Sequence, residues 1–165
     1  MNKENVENID VPSVDQLTEL TERFLLEGLS FKDLKGISDE DMEGIYAVGF
    51  NLYNNGKYED ALKVFQFLCF FDHFNRKYWM ALGGARQMLK SYKDAIDAYS
   101  VATVLKVHDP MAPLQAASCY LALGDAKSAK SALHCAIKYS GDNKEIKSRA
   151  EALLEFLEKK GKDIK

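Results

Sequence analysis

Apolar residues recur along most of this chain with the period of a helix, and residues 45 to 53, IYAVGFNLY, carry more of them than one helix face can hold. At about 100° per residue, Ile45, Val48, Gly49 and Leu52 share one stripe, while Tyr46, Phe50 and Tyr53 share a second stripe roughly a third of a turn away. A helix packed against a single neighbour needs one apolar stripe. The second must therefore be covered by another part of the chain or by a partner.

Helix-start signals flank this segment. Ser13 with Gln16 reads as a capping box opening a first helix, whose Val14, Leu17, Leu20, Phe24 and Leu25 form an apolar face. Ser30 with Asp33 and Ser38 with Asp41 repeat the signal. Beyond Gly141, residues 144 to 160 predict a last amphipathic helix, with Ile146, Ala150, Leu153, Leu154 and Leu157 inward and lysines and glutamates outward.

Between these ends the pattern repeats every 34 residues: GKYEDALKVF (56 to 65), KSYKDAIDAY (90 to 99) and GDAKSAKSAL (124 to 133). Ala61, Ala95 and Ala129 fall in register, as do Phe65, Tyr99 and Leu133, and Gly49, Gly83 and Ala117. The small residues predict helical hairpins whose two helices approach closely, because bulk at either place would splay the pair. Gly56 and Gly124 mark the turns inside the first and third hairpins, while Lys90 stands in the glycine's place in the second. Trp79, Leu82 and Gly83 match the W-x2-L-G opening of the tetratricopeptide pattern, and Ile45, Val48 and Gly49 occupy those positions one repeat earlier.

The chain is thus expected to be all-α: a tetratricopeptide-repeat superhelix of three helical hairpins with an N-terminal helix and a C-terminal capping helix over the exposed end. The expected organisation is a disordered N-terminus over residues 1–11 and a single domain over 12–160. Within that domain lie an N-terminal helical region (12–37), repeats at 42–75, 76–109 and 110–143, and the capping helix (144–160).

Composition narrows the function. With 165 residues, 47% of them hydrophobic and 28% charged, the chain can bury a core as one folded domain. A net charge of −3, with lysines scattered among acids, offers no basic stripe for a phosphate backbone, so nucleic acid is not an expected partner. The polar start MNKENVENID and the lack of any long apolar window argue against a leader or a membrane span, and place the protein in the cytoplasm. Cys69, Cys119 and Cys135 contain no CxxC pair, as suits buried thiols in a reducing compartment. Cys69 and His73 are four apart, yet neither His108 nor His134 completes a metal set with them, so no metal or cofactor is expected. There is no phosphate-binding glycine loop, no G-x-S-x-G and no HExxH, and the carboxylates lie among lysines as a solvated face would. Catalysis is not expected.

What a curved array offers is a concave groove lined by the first helix of each hairpin. The groove-facing positions of the tetratricopeptide pattern correspond to Tyr46, Phe50 and Tyr53, then Met80, Gly84 and Gln87, then Leu114, Ser118 and Leu121. The second stripe is then the groove wall, filled either by a partner or by the N-terminal helix folding back. Some tetratricopeptide proteins hold a C-terminal carboxylate there with lysine and asparagine. Here Tyr46, Phe50, Ala81, Met111 and Gln115 stand at those positions, which suits apolar side chains and an extended backbone.

Residues 28 to 102 resemble the class II chaperones of type III secretion systems, the translocator chaperones of Gram-negative bacteria. The similarity extends over roughly residues 12 to 157 and is carried most specifically by LKGIS (34 to 38), the aromatic stripe, and Phe65, Leu68, Cys69 and Asp72 followed by Tyr78 and Gly83. The resemblance implies a cytosolic chaperone that takes an extended N-terminal segment of hydrophobic translocator proteins into its groove and keeps these clients soluble and separate until export. It also implies self-association through the N-terminal region, here Val14, Leu17, Leu20, Phe24 and Leu25, and leaves open a transcriptional activator as a further partner. A peptide-binding scaffold or regulatory cofactor using the same groove is the alternative function.

Overall fold

The computed structural model describes residues 28 to 162 and, ahead of them, Ser13, Asp15, Thr18, Glu19, Glu22 and Arg23. In the predicted first helix Asp15, Thr18, Glu19, Glu22 and Arg23 are helical, while its face of Val14, Leu17, Leu20, Phe24 and Leu25, and the N-terminal stretch 1–11, lie outside the described residues.

Two serines set the entry to the array. Ser30 caps the short α1 (Phe31–Lys35): its Oγ accepts from Asp33 N at 3.4 Å while Asp33 Oδ2 accepts from Ser30 N at 2.8 Å. Ser38 does the same for α2 (Asp39–Asn54), accepting from Asp41 N at 3.1 Å. Both pairs satisfy orphan amides of a first turn reciprocally. The hydrogen bonds from Ser30 and Ser38 hold the Asp33 and Asp41 carboxyls below their ordinary pKa.

Six further helices follow: α3 (Tyr58–Phe71), α4 (Arg76–Met88), α5 (Tyr92–Leu105), α6 (Met111–Ala122), α7 (Ala126–Tyr139) and α8 (Lys144–Lys162). Among the described residues there is no strand. From α2 onward each helix packs chiefly on its neighbours in sequence, so α2–α3, α4–α5 and α6–α7 form three stacked hairpins closed by α8, while the short α1 rests on α3. This is the contact pattern of a solenoid.

The small-residue register explains the close packing. Ala61, Ala95, Ala117 and Ala129 are all fully buried. A Cβ on Gly49 would fall 2.7 Å from Phe65 Cε1, and one on Gly83 would fall 2.5 Å from Tyr99 Cε1, so each glycine makes room for the aromatic ring of the helix that follows. Phe65, Tyr99 and Leu133 are buried in register. The turns follow the same logic: Gly56 (φ 74°) and Gly124 (φ 77°) are left-handed, and Lys90 takes φ 62° at the equivalent place. Lys90 is the only non-glycine with positive φ among the described residues. A side chain there costs strain that a glycine would avoid.

Hairpins are tied to each other as well as within themselves. Met42, Phe65, Leu68, Tyr78 and Leu82 form one core across α2, α3 and α4, and Ile96, Tyr99, Ala116 and Cys119 join the second hairpin to the third. Leu114, Leu133, Ile146 and Leu157 bury α8 against the third hairpin, with Ala150 inside and Leu153 and Leu154 alongside. One residue departs from its predicted stripe. Val48 is 57% exposed, although Leu82, its counterpart one repeat later, is buried against the preceding hairpin. Among the described residues no hairpin precedes α2 to cover Val48 as the first hairpin covers Leu82.

Candidate peptide-binding groove

The wall of the candidate site is built by α2 and α4. A cleft of about 290 Å³ opens between Phe50 and Tyr53 of α2 and Met80, Gly84, Gln87 and Met88 of α4, with Phe65 and Tyr99 behind and Gln115 of α6 at its far side. Five of the nine predicted groove residues therefore meet in one place: Phe50, Tyr53, Met80, Gly84 and Gln87. Phe50 is 49% exposed and Met88 45%, so large apolar surface faces solvent there.

Tyr46 sits differently from the rest of its stripe. Its ring lies 6.0 Å from Phe50 and 5.9 Å from each of Phe65 and Tyr78, and the Lys77 ammonium stands 3.9 Å above it. Lys77 is held in turn by Glu43, with Nζ 2.5 Å from Oε2. Tyr46 thus props the end of the wall beneath an ion pair and does not line the cleft. Burial raises the pKa of its phenol, and that of Tyr53 as well.

The third repeat contributes less than predicted. Leu114 does not face the groove: it is 1% exposed and belongs to the core under α8, because Leu133 and Ala117 pack around it. Ser118 is half-buried and its hydroxyl donates to Leu114 O at 3.3 Å, while Leu121 leans on the same core. Neither lines the cleft.

Sequence reasoning passed over Tyr99 and Phe65 as wall residues because their register marked them as packing residues, which they also are. The Tyr99 hydroxyl donates to Gln87 Oε1 at 2.8 Å, linking core to groove, and burial pushes its pKa well above the ordinary tyrosine value. A signal for Gln115 was available: it lies one repeat after Ala81, on the same face. A second apolar cleft, about 500 Å³, lies elsewhere on the array between Phe31, Phe70, Trp79, Leu82 and Arg86. The FLCFFDHF run, which the groove register does not include, supplies Cys69, Phe70 and His73 to it.

The chemistry available in the groove is recognition. The cleft is lined by rings, thioethers and amides, with no charged side chain among them. Burial pushes the Cys69 thiol up to about 12 and the Cys119 thiol up to about 11, which removes the thiolate that a nucleophile or a metal ligand requires. Among the described residues no group of His, Cys, Asp and Glu is arranged to hold a metal ion, and no helix is long and apolar enough to cross a membrane.

Known proteins share both the sequence and this architecture. The tetratricopeptide repeat family matches residues 42–75 and 77–108. Low calcium response locus protein H of Yersinia pestis is 37% identical over 142 residues, covering 84% of this chain and 84% of that protein. The type III secretion translocator chaperone SycD of Yersinia enterocolitica superposes with a TM-score of 0.73 at 37% identity, over 76% of this chain and 96% of its own. This chain belongs to the type III secretion translocator chaperones. Two further solved structures bear on the site. PcrH in complex with the chaperone binding region of PopD matches this translocator chaperone with a TM-score of 0.74 at 37% identity, covering 76% of this chain and 97% of that one. SycD, at 37% identity and a TM-score of 0.72 over 76% of this chain and 97% of its own, is also known as an alternative dimer.

Proposed function

We propose that this chaperone binds the hydrophobic translocators of its own secretion system by taking an extended segment near their N-terminus into the groove, keeping them soluble and apart until export. The observation that carries this reading is the cleft between α2 and α4, where Phe50, Tyr53, Met80 and Met88 present apolar surface beside the amides of Gln87 and Gln115. Rings and thioethers take apolar side chains, and amides pair with the backbone of an extended segment. The action is binding without turnover and takes place in the cytosol. Each large apolar side chain buried by a client contributes on the order of 1.5–3 kcal/mol, offset by ordering the segment, which suits a complex that must be released for export.

The test is titration calorimetry of the full chain with the chaperone binding region of PopD as probe. Phe50→Ala combined with Tyr53→Ala should weaken binding by about 10-fold or more, since roughly 1.4 kcal/mol is a decade in affinity, with helicity unchanged. Unaltered affinity would remove the groove from the reading.

A homodimer through Val14, Leu17, Leu20, Phe24 and Leu25 belongs to the same proposal, supported by the apolar spacing of those positions and by the dimer of the related SycD. Sedimentation of the free protein across a concentration series checks it, and a monomer at every concentration would sink it.

A further inference from the structure

The two joints between successive hairpins follow one plan but are closed by different chemistry. In the loop before α4, Asn75 Oδ1 accepts from Lys77 N at 3.1 Å; one repeat later, in the loop before α6, Asp109 Oδ1 accepts from Met111 N at 2.9 Å. Near the start of the helix that opens each hairpin, the same register puts Met42 in the first and Arg76 in the second. Met42 is 1% exposed and plugs the core that α2 and α3 share with α4. Arg76 instead sets its Nη2 2.8 Å from Asp109 Oδ1, with both side chains largely shielded from solvent at 23% and 15% exposure. Arg76 Nε and Nη2 are buried and make no hydrogen bond among the described residues, so the charge of Asp109 is what offsets the guanidinium. Lys106, 3.5 Å from Asp109 Oδ2, is a second cation on that carboxylate, but its side chain is 65% exposed. The first joint is thus apolar and the second ionic.

We propose that Arg76 and Asp109 are positioning residues of the groove: their pair fixes the angle of the third hairpin against the second and so places Gln115 at the far side of the cleft. Apolar burial is non-directional, and helices packed through it settle over a range of angles. A shielded charge contact holds one geometry, because leaving it strands a charge away from water. The path from the pair to the groove is short. Asp109 anchors the first amide of α6 at Met111, Met111 Sδ accepts from Gln115 Nε2 at 3.9 Å, and Gln115 lines the cleft. With 12 residues, α6 is about 18 Å long, so a tilt of about 10° shifts one end against the other by about 3 Å. That exceeds the slack of a hydrogen bond between Gln115 and a client backbone. The consequence for the client rests on the groove being the client site, whereas the consequence for the hairpin angle does not.

The experiment uses the full chain as wild type, Asp109→Asn, Arg76→Met and the double variant, which copies Met42 and Asn75 of the first joint into the second and keeps an acceptor for Met111 N. Each is melted, then titrated calorimetrically well below its melting temperature with the chaperone binding region of PopD as probe. Each is also made with Lys63→Cys, exposed on α3, and spin-labelled there and at the exposed Cys135 of α7 for a distance measurement by pulsed electron-spin resonance; Cys69 and Cys119 are buried. Asp109→Asn should melt lowest, because it leaves the guanidinium uncompensated, while the double variant, with no unpaired charge, should melt near wild type. All three should nevertheless bind the probe about 3-fold or more weakly and shift or broaden the label distance by about 2 Å or more. A pair that served stability alone would move only the melting temperatures. A wild-type label distance in the folded double variant therefore overturns the inference whatever its affinity, and a shifted distance with wild-type affinity overturns the link from the joint to the groove. Should Asp109→Asn fail to fold, the double variant and Arg76→Met decide by the same readings. A wild-type chain that does not bind the probe overturns the groove reading, and the label distances still decide whether the pair sets the hairpin angle.

Discussion

Replacing Gly83 by leucine sets a side chain where the Tyr99 ring already stands. The first added atom alone would lie 2.5 Å from Cε1, 2.7 Å from Cδ1 and 2.9 Å from Cζ of that ring, well inside the contact distance of non-bonded carbons. Tyr99 cannot simply swing out. It is 2% exposed, packed with Ile96, Ala116 and Cys119, and its hydroxyl is bonded to Gln87 at 2.8 Å. Overpacking of this kind costs about 1–3 kcal/mol, and loss of the hydroxyl bond adds about 1 kcal/mol. Removing a glycine from a helix interior returns somewhat under about 1 kcal/mol. The net loss is about 1–3 kcal/mol, which for a chain of this length lowers the melting temperature by roughly 3–10 °C. Thermal melting followed by circular dichroism reads it directly, with Gly84→Ala, one residue away, as a variant that should not fall. A Gly83→Leu protein that melts with the wild type would mean that α4 and α5 do not approach through this glycine, and the repeat register would be wrong.

Two further outcomes follow from local geometry. Lys90→Gly should raise the melting temperature by a few degrees, because a side chain at φ 62° carries about 1–2 kcal/mol of strain, of which the greater freedom of the unfolded glycine cancels only part; an unchanged or lower melting temperature would show that the turn is not strained. Asp33 and Asp41 have their pKa lowered by hydrogen bonds from Ser30 and Ser38, so their contribution is present above the ordinary carboxylate range and is lost as pH falls through the lowered values. Ser38→Ala should accordingly melt below wild type at pH 7, with the gap narrowing below about pH 4; a gap independent of pH would place the effect outside the capping pair.

What the sequence determined by itself is what short-range physics controls. Helix starts were legible at Ser30 and Ser38 because a capping box is a contact over three residues. The three hairpins and the capping helix were legible because a unit that cannot bury its own face must repeat, and the repeat leaves small residues at Gly49, Gly83, Ala61, Ala95, Ala117 and Ala129 in register. Placement of Phe50, Tyr53, Met80, Gly84 and Gln87 around one cleft also followed from helical period and repeat register. Tertiary structure decided what depends on which neighbour is present. Val48 and Leu82 hold the same register position, yet among the described residues only Leu82 has a preceding hairpin to bury it. Leu114 shares the register of Tyr46 and Met80, but the core formed with α7 and α8 draws it inward, and the groove loses a predicted wall residue. Tyr99 and Phe65 entered the wall because the glycines opposite them let their rings reach through the helix layer. The adjacent Gly83 and Gly84 look alike in sequence, and only the distance from each to the nearest ring, set by how two helices cross, separates a residue needed for packing from one left open to solvent and to a client.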